Sequence, residues 1–115
     1  MKRIVEPRDV IFEAVVPGLV YAQNISIRNV ASVPRRFKIE PPSRSGPFEL
    51  VFEPCRALAS GLDVLAEVRF FLKDDLPLLE EEKRTGTYRD KLVLVFEDDD
   101  AVEVPLVARE TRPIV

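Results

Sequence analysis

Apolar residues recur at every second position along most of this chain, and a period of two is the signature of β-strands. Val64, Ala66, Val68, Phe70 and Leu72 share one side of their segment, facing away from Leu65, Glu67, Arg69 and Phe71. Tyr88, Asp90, Leu92, Leu94 and Phe96 repeat the pattern, and Val102, Val104, Leu106 and Ala108 repeat it again. Earlier in the chain Val10 and Phe12 alternate with Ile11 and Glu13, Leu19, Tyr21, Ile25 and Ile27 line up with Gln23 interrupting, Phe37 and Ile39 follow, and Phe48, Leu50 and Phe52 complete the set. Between these runs stand turn residues, among them Pro17-Gly18, Ala31-Ser32, Pro41-Pro42 and Ser60-Gly61. In the segment 88–96, Val93 and Val95 are apolar as well, so this strand is expected centrally with both faces covered.

Seven short strands without a convincing helix, in a chain of 115 residues, predict an all-β, antiparallel, seven-stranded immunoglobulin-like sandwich. The length suits one domain, which buries roughly 65% of the surface of its unfolded chain and so stands without a disulfide. None can form within the chain, because Cys55 is its one cysteine. We read residues 1–8 as a lead-in, 9–109 as the sandwich and 110–115 as a tail or linker. The connection 73–87, KDDLPLLEEEKRTGT, is long for a hairpin loop and has room for a helical turn or two. Its leucines Leu76, Leu78 and Leu79 either fold back over the open end of the sandwich or form an apolar lip that grips a partner.

Composition removes whole classes of function. The chain has no histidine, which excludes Ser-His-Asp and Cys-His nucleophile pairs, histidine metal sites and the usual general base near neutral pH. Four scattered glycines make no phosphate loop. The net charge of −3 argues against duplex nucleic acid as a partner. No run of apolar residues is long enough to cross a membrane, no signal peptide is visible, and the lone thiol suits a reducing compartment. We therefore expect a cytoplasmic, non-enzymatic protein without cofactor or metal.

The order of local motifs carries a family resemblance. Ile25-x-Ile27-x-Asn29 is followed by F-K-I-x-P-P at 37–42 and A-S-G-L at 59–62. Then come V-x-F-F at 68–71, T-G-T-Y-x-D-x-L-x-L at 85–94 and V-x-V-P-L-x-A at 102–108. Together these resemble the ASH and major-sperm-protein-like (PapD-like) superfamily, and within it the Hydin-like ciliary branch. The resemblance implies a domain for protein–protein contact in a ciliary, flagellar or centrosomal scaffold, with axonemal, tubulin-associated or centrosomal proteins as partners and a cytoskeletal location. It also implies structural roles: Asn29 bonding the backbone of the following turn, Gly61 and Gly86 supplying turns, and Tyr88 placing its ring in the core while its hydroxyl finds a backbone partner.

The charged residues supply the candidate docking surface. Arg36 and Lys38 share a strand face, Arg28 is expected to join them from the neighbouring strand, and Arg35 and Arg44 lie at the strand's two ends. Such a patch would speed association with an acidic partner. The superfamily's membrane-contact branch captures short acidic motifs on a strand resembling F-K-V-K-T-T. Here Lys38 matches, but Glu40 reverses the second charge and Pro41-Pro42 replace the threonines, so that function stands as an alternative, as does a periplasmic chaperone-type sandwich. Glu97, Asp98, Asp99 and Asp100 are consecutive, unlike the spaced acids of a calcium loop, and read as a hairpin tip.

Overall fold

The computed structural model describes residues 4–42, 46–53, 57–97 and 101–111. Two four-stranded sheets face each other. One has the order β1(Val5–Glu6)-β3(Val20–Arg28)-β6(Asp63–Phe71)-β5(Phe48–Val51), and the other β2(Val10–Val15)-β8(Ala101–Glu110)-β7(Thr87–Phe96)-β4(Phe37–Glu40). Among the described residues a single short helix, α1(Glu80–Thr85), lies in the long connection before β7. The sandwich class is as expected, with eight strands among the described residues in place of seven.

The added strand is β1, which lies in the segment read as a lead-in; two residues are too few to show a period, yet Val5 is buried in the core. A second correction concerns direction, because β2 runs parallel to β8 while every other strand pair is antiparallel. The chain begins in one sheet and crosses to the other between Glu6 and Val10, so β2 meets the last strand head to head. β2 also carries a register shift between Phe12 and Val15, where Ala14 adopts φ 55°. That irregularity turns Val15, and not Ala14, into the core.

The core is built from the alternating positions of both sheets. Phe70 sits at its centre, with ring centroids 5.2 Å from Phe48, 5.5 Å from Tyr88 and 6.1 Å from Phe12. A second aromatic group joins Phe37 to Phe96 and Phe52 at 5.5 and 5.7 Å. Offset and edge-on rings at these distances add packing energy beyond the area they bury. β7 is central within its sheet, as expected, but its outer face lacks a covering layer: Val93 and Val95 stay half-buried. Leu19, expected to point inward, is 54% exposed because β3 begins only at Val20, after the turn at Gly18.

The leucines of the connection before β7 divide. Leu76 and Leu78 pack against the core, while Leu79 is 56% exposed at the head of α1. The Leu79 N–H donates to the Glu82 side chain at 2.9 Å, and Gly86, at φ 69°, closes the helix by donating to the Glu82 carbonyl at 2.8 Å. A left-handed residue at that position is where glycine costs least.

Candidate functional site

β4 is an edge strand, and its hydrogen-bond parity decides what it offers to solvent. The Glu97 N–H donates to the Arg36 carbonyl at 3.0 Å, so these residues form a hydrogen-bonded pair. In an antiparallel ladder such pairs alternate with pairs whose groups point outward. Lys38 and Glu40 therefore bond to β7 through Val95 and Val93, while Phe37 and Ile39, opposite Phe96 and Leu94, turn their N–H and C=O groups away. Upstream the edge is occupied, because Arg35 exchanges two backbone hydrogen bonds with Leu58, at 3.1 and 2.8 Å. Downstream, Pro41 and Pro42 end it.

β5, on the same lateral side, behaves likewise. The Phe71 N–H donates to Pro47, which sets Phe48 and Leu50 to face outward. On the opposite side, side chains of β3 close the stretch along β2. Gln23 Nε2 donates to the Ile11 carbonyl of β2 at 2.6 Å, and the Tyr21 hydroxyl accepts the Val16 N–H at 2.9 Å. The polar interruption at Gln23 is thus a stitch between the two sheets. The open, four-residue edges lie on the β4/β5 side.

The five candidate cations do not assemble into one patch. Arg28 lies on β3, in the other sheet, where it pairs with Asp63 at 2.7 Å. The hydrogen bond and charge of Asp63 raise its pKa above the ordinary arginine value. Arg35 is 6% exposed: its guanidinium stacks on Phe96 and its Nε donates to Asn29 Oδ1 at 3.3 Å. Arg36 and Lys38 are exposed on the outer face of β4, as expected. Arg44 lies outside the described residues. Glu97 tempers the remaining pair, since its carboxylate accepts the Arg36 N–H at 3.2 Å, and Glu40 stands two residues beyond Lys38. Of the three leucines proposed as a lip, Leu79 alone is presented to solvent.

Asn29 ties this end together. One bond to the following turn was expected and is present, the Ala31 N–H donating to Oδ1 at 2.9 Å. In addition Nδ2 donates to Val33 and Leu58 carbonyls at 2.8 and 2.7 Å, so one buried amide ties three segments. Gly61 adopts φ 77° in the turn facing it and donates to its carbonyl at 2.8 Å. Tyr88 places its ring in the core as expected, and its hydroxyl donates to the Glu110 carboxylate at 3.2 Å. Among the described residues, no three His, Cys, Asp or Glu side chains converge as a metal site would require, and no helix is long and apolar enough to cross a membrane.

A scan against protein-family models returns no match, and neither does a search of curated proteins. Solved structures do resemble this one. The ASH/PapD-like domain of human CEP192 (PapD-like domain 7) superposes with a TM-score of 0.69 at 9% identity, covering 96% of this chain and 85% of that one. SSP-19, an MSP-domain-like protein of Caenorhabditis elegans, gives 0.65 at 12% identity over 93% of this chain and 99% of its own. WR4, a C. elegans MSP family member, gives 0.53 at 13% identity over 93% and 95%. Likeness at such low identity is likeness of fold, and the chain is an immunoglobulin-like sandwich of the form shared by MSP-domain and ASH/PapD-like domains.

Proposed function

We propose that this domain is a non-enzymatic protein-interaction module of a ciliary, flagellar or centrosomal scaffold, and that a partner docks along β4. The observation that carries the proposal is the open edge itself. Phe37 and Ile39 turn backbone donors and acceptors outward, and Arg36 and Lys38 stand beside them on the outer face. An added strand would gain main-chain hydrogen bonds from the edge and sequence preference from the flanking side chains. The two cations favour an extended segment carrying carboxylates, and they act mainly on association rate. The fold shared with MSP-domain and ASH/PapD-like proteins supports the interaction role, and the motif order from Ile25 to Ala108 supports the ciliary and centrosomal assignment.

The test is affinity capture from a ciliated cell extract with the wild-type domain and an Arg36→Glu/Lys38→Glu double variant. Axonemal or centrosomal proteins captured by the wild type and lost from the variant are expected. Identical partner sets would refute docking at β4, and the absence of such proteins from both would refute the cytoskeletal assignment.

A further inference from the structure

The first strand of the sandwich is split between the sheets, and the split leaves a gap. β1 ends at Glu6 in one sheet, and β2 begins at Val10 in the other, opposite Leu106. β8 starts earlier, at Ala101. Its stretch from Ala101 to Pro105 therefore has β7 on one side and, among the described residues, no strand on the other.

Pairing parity again fixes what faces that gap. The Glu110 N–H donates to the Gly86 carbonyl at 2.8 Å, making the two a hydrogen-bonded pair. Counting back, Leu92–Val104 and Leu94–Val102 are bonded pairs, whereas Lys91–Pro105, Val93–Glu103 and Val95–Ala101 are not. Ala101 and Glu103 thus turn their N–H and C=O groups into the gap. Pro105 has no N–H to offer, and its carbonyl faces the start of β2, where Val10 pairs opposite Leu106, so it marks the upper limit of the usable edge.

An open cleft of about 1010 Å³ lies against this stretch. Ile4, Val5, Val30 and Val102 give it apolar walls, and Arg8 and Arg28 bring guanidinium groups to it. Arg28 is engaged by Asp63, whereas among the described residues no carboxylate pairs with the exposed Arg8. The floor is held firmly: Gly61 and Ser60 are bonded across to Asn29 and Ala31 at 2.8 and 2.6 Å. Unpaired strand groups, apolar walls and one available positive charge describe the complement of a single kind of ligand.

We propose that an extended peptide segment of a partner protein adds as a strand beside Ala101 and Glu103. Its alternate apolar side chains enter the cleft, and a carboxylate meets Arg8. A fatty acid would satisfy the walls and the arginine but would leave the strand groups unmet; a peptide backbone satisfies all three. This surface lies along the sheet that holds β4 but at its other end, so it is a second docking place and does not depend on the first.

Amide shift mapping of the isotopically labelled domain tests the proposal. The probe is a blocked seven-residue peptide that alternates valine with threonine and ends in aspartate. It is compared with the same peptide N-methylated at alternate residues and with decanoate. The largest shifts are expected at Arg8, Ala101 and Glu103, with N-methylation weakening binding about tenfold or more, the loss of roughly one or two main-chain hydrogen bonds. Arg8→Glu, at an exposed position, should weaken binding about fivefold and reduce its salt sensitivity. Glu103→Pro removes the outward N–H without touching a bond to β7 and should abolish binding in a folded domain. Shifts confined to Phe37 and Ile39, equal binding of the N-methylated peptide, tighter binding of decanoate, or no shifts at millimolar peptide would each overturn the proposal.

Discussion

The guanidinium of Arg35 lies 4.1 Å from the centroid of the Phe96 ring, inside the sandwich and not on its surface. It is held there by Asn29 Oδ1 and by its own backbone exchange with Leu58. Removing such a side chain leaves polar partners unmet and a void beside an aromatic ring. Arg35→Ala is expected to cost about 2–4 kcal/mol in urea unfolding. Arg36→Ala, one residue later and exposed, should change stability by no more than about 0.5 kcal/mol. Equal effects would show that Arg35 is a surface residue.

Asn29 offers a sharper substitution. Asn29→Asp keeps the shape and the acceptor for the Ala31 N–H but removes the two donors that hold Val33 and Leu58. The buried Leu58 carbonyl and the part-buried Val33 carbonyl then lose their partner beside a buried charge. A loss of about 3 kcal/mol is expected, with faster amide exchange in both loops. Unchanged exchange at residues 57–62 would contradict the tie.

Gly86 ends α1 in a left-handed conformation that a side chain disfavours. Gly86→Ala should cost about 1 kcal/mol and loosen the turn into β7, read as a lower melting temperature. A stabilised variant would mean that the turn relaxes freely.

The leucines of the long connection divide by burial. Leu78→Ala should destabilise by about 1–2 kcal/mol because Leu78 packs on the core, whereas Leu79→Ser should be neutral within about 0.5 kcal/mol. The reverse order would show that Leu79, not Leu78, seals the sandwich.

How much of this was legible in the sequence follows from the range of each signal. The alternation of Val64 to Leu72 and of Tyr88 to Phe96 reads directly as strands, because a period of two is local. Sheet membership is not local. Arg28 was expected beside Lys38 because successive strands usually pair. Instead β3 joins β6, and β4 crosses to the other sheet, which separates the two cations. Arg35 shares parity with Phe37 and Ile39, so its inward direction was readable; its charge argued otherwise until Phe96 and Asn29 were seen to receive it. Gln23 announced an anomaly on an apolar face, but nothing in the sequence could name the Ile11 carbonyl as its target. β1 is too short for any periodic reading, and the gap beside Ala101 and Glu103 depends on where β2 begins, a tertiary fact.

Docking of partners along β4 is open to site-specific photocrosslinking. A photoreactive amino acid is placed at Lys38 on β4, or at Ser26 on the outer face of the opposite sheet, and each protein is irradiated in a ciliated cell extract. Discrete adducts with cytoskeletal proteins are expected from position 38 and not from position 26. Adducts of equal yield and identity from both positions, or from position 26 alone, would contradict it.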